Sequence, residues 1–326
     1  MRKKFLLLAA GFALIIGCTK TRSVTEEPTV PVADEITATQ RQCYSYELLQ
    51  DQLREDPTLQ QKMDAIEEFT RRVRENPESY RLLSNGIIEI PVVFNVVYKT
   101  SAQNVSLAQL QSQIDVLNED FSGTNSDRNL TSTYGSVKAS DIGVRFVLDQ
   151  VNRRSTSKSS WQLNDGMKKS SGGIAPTSPT TKLNIWVCNL SGGYLGYAQF
   201  PGGSAATDGV VLDDNATGRT GTASAPFNKG RTATHEVGHW LNLRHIWGDA
   251  TCGNDLVGDT PLHNTANYGC PSSGHRSTCS GTPLEMTMNY MDYTDDACMY
   301  MFSVGQRTRM LSVFASGGPR NGFAQP

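Results

Sequence analysis

The chain has 326 residues, 30 Lys and Arg against 32 Asp and Glu, a formal net charge of −2 at pH 7 and 38% hydrophobic residues. That composition supports a sizeable folded core and excludes a polytopic membrane protein, a collagen and a wholly disordered chain. The faintly acidic balance also argues against a nucleic-acid partner held by basic patches. Two counts stand out: only five His, and seven Cys, an odd number that cannot all pair within one chain.

The chain opens with the basic cluster Met1-Arg2-Lys3-Lys4. An apolar run from Phe5 to Ile16 follows, too short to span a bilayer. It ends Ile15-Ile16-Gly17-Cys18. A small residue directly before Cys at this place resembles the lipobox of bacterial lipoproteins. The resemblance implies loss of residues 1–17 and a lipid anchor on Cys18; an ordinary secretory signal peptide is the alternative. With Thr19 after Cys18, it further implies the cell envelope, at the outer membrane, with acyl chains as the sole membrane link.

Residues 18–40 are rich in Thr, Val, Pro and Glu without a helical stripe, and read as a flexible tether. From 44 to 75, Leu48, Leu49, Leu53, Leu59, Met63, Ile66, Phe69 and Val73 recur at helical spacing, with a break at Pro57 and a stop at Asn76-Pro77. A Val- and Ile-rich strand starts at Gly86. Ser106 then caps a helix with the stripe Leu107, Leu110, Ile114, Leu117 and Phe121. Residues 143–148, 183–188 and 209–212 read as strands, and 155–180, rich in Ser, Thr, Lys and Gly, as a long surface excursion. Strands alternating with helices imply an α/β fold with a mixed sheet. Beyond about residue 248 regular pattern fades while Cys, Asp, Gly and Pro accumulate, so that stretch needs staples.

The chemistry concentrates at Thr234-His235-Glu236-Val237-Gly238-His239, continuing to His245. On a helix His235 and His239 share one face, ~6 Å apart along the axis, which suits two imidazole ligands to one zinc. Glu236 can reach a water there without filling a ligand position. For His245 to join them, the helix must end near residue 242 and the chain must turn sharply. A chance His-rich helix is the plain alternative, but three of the five His fall on the three motif positions.

This stretch resembles the extended zinc motif of the metzincins, with Asn242 where that family has Gly for a left-handed turn. Asn is the commonest other residue in that conformation. Asn289-Tyr290-Met291-Asp292-Tyr293 resembles the Met-turn of one metzincin branch, the pappalysins or cytophagalysins. Leu195 to Gly203 and Thr207 to Val211 resemble that family's upper-rim strand and the strand after it, and the likeness runs from about residue 87 to 315. An exposed rim strand can pair with an extended peptide.

The resemblance implies a metzincin-like α/β fold. A mixed twisted sheet with backing and active-site helices forms an N-terminal subdomain, and an irregular disulfide-stapled C-terminal subdomain follows. It implies Met291 as an apolar floor beneath the zinc and Tyr293 as a hydrogen-bond donor to the oxyanion; plain core packing is the alternative for both. Of the three pairings open to Cys252, Cys270, Cys279 and Cys298, it selects Cys252–Cys279 and Cys270–Cys298. A second zinc site there is disfavoured because no C-x-x-C spacing exists. It also implies calcium held by Asp255, the Gly258 carbonyl and Thr260, against a loop with no ion.

Cys188 reads as a buried inert thiol. Cys43, in Arg41-Gln42-Cys43, matches the Arg-x-Cys of the family's pro-segments. The implied role is a latency switch, a thiolate taking the fourth zinc position. A Cys43–Cys188 disulfide and an unengaged thiol are the alternatives. Asp296 matches the floor of the pocket for the residue after the scissile bond, implying Arg and then Lys there; a surface Asp beside Asp295 is the alternative. Tyr80–Arg81 then becomes a candidate self-processing site between a pro-segment of residues 41–80 and a catalytic domain of 81–326.

The expectation is a secreted, lipid-anchored zinc endopeptidase made as a zymogen, monomeric, with protein or peptide substrates and a catalytic domain released on processing. Its rivals are a silent envelope lipoprotein with a structural zinc and a metallohydrolase of non-peptide bonds.

Overall fold

The computed structural model describes residues 38–76 and 86–324. The expectations for the signal segment, Cys18, most of the tether and Tyr80–Arg81 lie outside the described residues.

Five strands form one sheet: β1 (Ile88–Tyr98), β2 (Val144–Ser155), β3 (Leu183–Cys188), β4 (Gly196–Ala198) and β5 (Val210–Asp213), in the order β2-β1-β3-β5-β4. All neighbours are parallel except β4, which runs antiparallel to β5 at one edge. β1 is an interior strand, buried on both faces from Val92 to Val97, hence its nearly unbroken apolar run. Its residues Ile88, Ile90, Val92, Phe94 and Val96 join Leu110, Ile114, Leu117 and Phe121 of α3 (Leu107–Ser122) in the main core.

Ser106 caps α3 as expected, its hydroxyl accepting from the Gln109 N–H at 3.1 Å. Gly123, at φ 64°, ends the helix in the left-handed conformation. Leu107 does not belong to the buried stripe: it sits in the first turn and is 58% exposed. Gln109 and Gln113 are buried instead. The Gln109 amide donates to the Thr217 carbonyl at 2.9 Å and that of Gln113 to the Gly230 carbonyl at 2.9 Å. These bonds pin the loop that leads into the helix bearing the His pair.

Two expectations need correction. β2 continues past Leu148 to Ser155, with a register shift that leaves Asp149 unpaired between Leu148 and Gln150. As an edge strand it meets water, so its far half needs no apolar pattern. Residues 155–180 are not simply a surface excursion. Trp161 and Met167 are buried beneath the sheet with Trp186, Tyr197 and Leu48, forming a second core. Lys168 is buried with them, its ammonium held by Asp165 at 2.9 Å and the Thr207 carbonyl at 2.7 Å.

The N-terminal segment folds as α1 (Ser45–Glu55) and α2 (Thr58–Glu75), with Pro57 between them as expected. The helix α4 (Arg231–Trp240) is buried at all its positions. Beyond it, one α-helix, α5 (Val304–Ser312), is present among the described residues, opened by a capping box between Ser303 and Gln306. The disulfides are Cys252–Cys279 and Cys270–Cys298. Cys43 and Cys188 are free buried thiols, which removes the alternative of a bond between them.

Candidate active site

The helical repeat of α4 puts His235 and His239 on one face. The chain leaves that helix at Leu241, and Asn242, at φ 75°, makes the left-handed turn that returns His245 to the pair. Gly238 serves the packing of the helix instead. A Cβ there would stand 2.5 Å from the Met291 sulfur, so a side chain would push the Met-turn off the helix. Met291 is fully buried.

Each imidazole is oriented through Nδ1. His235 reaches the Tyr290 carbonyl at 2.7 Å, His239 the Leu243 carbonyl at 2.8 Å and His245 the Asp249 carboxylate at 2.5 Å. These acceptors place a hydrogen on Nδ1 and leave the Nε2 lone pairs facing inward. The Nε2 atom of His239 is 3.1 Å from those of both His235 and His245. Burial pushes His235 and His239 well below the ordinary imidazole range, which favours their neutral, lone-pair-bearing form. Such an arrangement is repulsive without a cation. A tetrahedral zinc with bonds of ~2.0–2.1 Å sets its ligand atoms ~3.3 Å apart, close to the two 3.1 Å separations here.

Cys43 completes the cluster: its Sγ and the three imidazole nitrogens all lie within 4.8 Å of one another. Burial, and then the Glu236 carboxylate, push the Cys43 thiol well above its ordinary value. A cation between it and the imidazoles is what would hold it as thiolate. Glu236 is buried beside the cluster, pushed up to about 7 by that burial. One of its oxygens accepts from the Ser45 hydroxyl at 2.9 Å and the Cys43 thiol at 3.2 Å. The Tyr293 hydroxyl donates to the Cys43 carbonyl at 3.2 Å, and its ring stands edge-on to His245 at 4.9 Å.

The chain around Cys43 lies in the cleft as an extended strand. The Leu195 N–H donates to the Gln42 carbonyl at 3.0 Å, and the Tyr44 N–H to the Gly196 carbonyl at 3.2 Å. The rim strand β4 therefore pairs with an extended segment, here one from the same chain. Arg41 fills the adjoining pocket. Its guanidinium meets Asp296 at 2.6 Å, lies 5.1 Å over the Phe227 ring and donates to the Thr294 carbonyl at 3.2 Å. Asp296 is fully buried and also accepts from the Lys229 N–H at 2.7 Å, so it is not a surface Asp.

The family model Peptidase_M43, described as pregnancy-associated plasma protein-A, matches residues 179–315. An extracellular metalloprotease of Verticillium alfalfae is 36% identical over 242 residues, covering 69% of this chain and 78% of that protein. The chain belongs to the pappalysin family. It is therefore a zinc-dependent metalloendopeptidase, which sets aside the silent lipoprotein and the hydrolase of non-peptide bonds. Among solved structures, mature mirolysin of Tannerella forsythia in complex with a cleaved peptide is 45% identical, with a TM-score of 0.70 over 73% of this chain and 95% of that one. A promirolysin mutant from the same organism is 42% identical, with a TM-score of 0.78 over 87% and 97%.

Three features of this pappalysin's site escape sequence reasoning. Ser45 bonds Glu236 and also accepts the Ala198 N–H at 2.8 Å, yet no motif marks it. Asp249 orients His245 from four residues on, a spacing that shows only once the third ligand is known. Arg41 stands in the Arg-x-Cys motif, but its partner is 255 residues away.

The expected calcium residues come together in part. The Thr260 hydroxyl lies 3.0 and 2.8 Å from the two Asp255 oxygens. The carbonyl it meets is that of Val257, at 2.9 Å, rather than that of Gly258. Burial pushes Asp255 up to about 6.

Proposed function

We propose that the chain is an exported, latent precursor of its zinc endopeptidase, with Arg41 to Ser45 lying through the cleft as an internal inhibitor. The observation that carries this is the simultaneous placement of Arg41 on Asp296 and Cys43 against the three imidazoles. The residues for zinc are His235, His239 and His245; when bound, zinc supplies Lewis acidity to the scissile carbonyl and to the attacking water. Glu236 takes the proton from that water and passes it to the leaving amine. Tyr293 donates its hydroxyl hydrogen to the developing oxyanion. Met291 packs beneath, and Asp296 selects Arg, then Lys, after the scissile bond. Departure of the segment frees Glu236 from Cys43 and Ser45, and Tyr293 from Cys43.

Relatives named extracellular metalloproteases support export. The lipobox-like Cys18 suits a lipid anchor at the outer membrane, and Tyr80–Arg81 a processing site at the start of the catalytic domain. Asp255, Gly258 and Thr260 are proposed for calcium. The test is hydrolysis of Arg-containing peptides by precursor and matured enzyme. The precursor should be silent and the matured enzyme active. Glu236→Ala should lower kcat/KM by ~10³-fold. Asp296→Ala should remove the Arg preference, and Cys43→Ala should give turnover in the uncut chain. Unchanged turnover in Glu236→Ala would sink the general-base role. A silent Cys43→Ala precursor would sink the switch.

A further inference from the structure

The pro-segment touches the enzyme at a second place, beside the cleft, where the Phe200 ring stands 5.3 Å from that of His239. Leu59 and Met63 of α2 pack on Phe200. Ile66 comes within 3.0 Å of the point where a Cβ on Gly202 would stand, and Phe69 within 3.8 Å of the same point on Gly317. Glu67 makes a two-pronged ion pair with Arg309 of α5, one contact at 2.8 Å. Thr70 and Ser312 join through their hydroxyls at 3.2 Å. Arg309 is 3% exposed and its Nε donates to the Asn242 carbonyl at 2.6 Å, on the turn between His239 and His245. None of these contacts is needed to fill the cleft. Together they are an amphipathic helix in a groove, with apolar anchors along one stripe and a carboxylate at its centre.

We infer that Phe200, Gly202, Arg309, Ser312 and Gly317 form a second binding site on the enzyme, that α2 is its occupant, and that it retains residues 38–76 as a non-covalent inhibitor after the connection at 77–85 is cut. The inference rests on the latency reading above. A cut there leaves the Arg41–Ser45 hook and α2 on one piece joined through α1, so the piece is bivalent. Each end keeps the other at high local concentration, and release requires both to let go at once. The cut alone therefore leaves the enzyme inhibited. Full activity needs dilution or a further cut between the hook and α2.

The test uses the full chain with a recognition sequence for an unrelated site-specific protease built into 77–85. Elution is followed in the Glu236→Ala background, where self-cleavage is absent, and peptide hydrolysis in the Glu236-intact chain. At micromolar concentration, the cut chain should keep its 38–76 piece through size exclusion and stay at least tenfold below full turnover. Met63→Asp should weaken retention by ~100-fold and the isosteric Glu67→Gln by ~10-fold. Both changes leave the enzyme half untouched, so full turnover after release shows that it folded. Loss of the piece with immediate full activity in the cut parent overturns the inference. So does retention of the piece by a fully active enzyme, or retention indifferent to both variants. An uncut parent that is already active overturns the latency reading instead.

Discussion

The sheet half and the irregular half of this pappalysin share one apolar core but keep their shapes by different means. In residues 88–240, alternating strands and helical stripes bury apolar side chains on both faces of one sheet. Beyond residue 240, Leu241, Ile246, Met286, Met301 and Phe314 join the same core, but little helix or strand carries them, so the shape relies also on two disulfides, on left-handed turns at Asn242, Asp249, Cys252 and Leu256, and on buried polar links. Asn267 is one such link, its amide donating to Glu285 at 2.7 Å and Asp292 at 2.9 Å. The three clustered imidazoles straddle the join, two from the helix α4 and one from the turn-rich side. The periodic half sets the direction of the site. The stapled half closes it.

That contrast can be broken by experiment. The largest effect should come from the sheet core: Phe94, fully buried, changed to Ala should cost ~4 kcal/mol in urea unfolding and loosen the whole domain. Next, replacing Cys270 and Cys298 together by Ser opens a link with a sequence separation of 28. That should cost ~3.5 kcal/mol, and hydrogen exchange should rise first in residues 250–300 while β1 and β3 stay protected. Equal loss of protection in β1 would make the two halves a single cooperative unit and end the distinction.

A smaller effect, of opposite sign, is expected at the join. Among the described residues, neither buried amide atom of Asn242 has a hydrogen-bond partner, and its backbone is left-handed. Asn242→Gly removes the orphaned amide and suits the backbone, so thermal unfolding should show a gain of ~1–2 kcal/mol. A loss there would mean that the amide's packing outweighs its desolvation.

The smallest test concerns pH. Burial pushes Asp292 up to about 7, so the folded chain prefers it protonated. Its contribution to stability is complete below the ordinary carboxylate range and is lost as pH rises through about 7. Relative to Asp292→Asn, the parent chain should therefore lose ~1 kcal/mol per pH unit between pH 6 and 7. Glu285 shares the Asn267 amide and His263 Nδ1 lies 3.6 Å from Asp292, so the difference between the two chains is the quantity to read. A difference that does not vary with pH would leave the Met-turn carboxylate ionised throughout.

Much of the site was legible in the sequence because its logic is local. A helix returns every fourth side chain to one face, so the spacing of His235, Glu236 and His239 already placed two imidazoles together with a carboxylate beside them. The apolar run in β1 and the cap at Ser106 were legible for the same reason. Where a residue obeyed no local period, reading failed. The far half of β2 is polar because it is an edge, and Trp161 and Met167 are core because of the strands above them, not because of their neighbours in sequence.

By itself, then, the sequence determined the α/β class and the three imidazoles through periodicity and short spacing, and offered the Met-turn by family resemblance. Only the tertiary structure decided that Arg41 sits on Asp296, that Ser45 caps Glu236 and that Glu67 meets Arg309. Each of those pairs joins parts of the chain far apart in sequence. Their meeting depends on how the sheet, the stapled half and the N-terminal helices pack, and no local pattern of side chains encodes that.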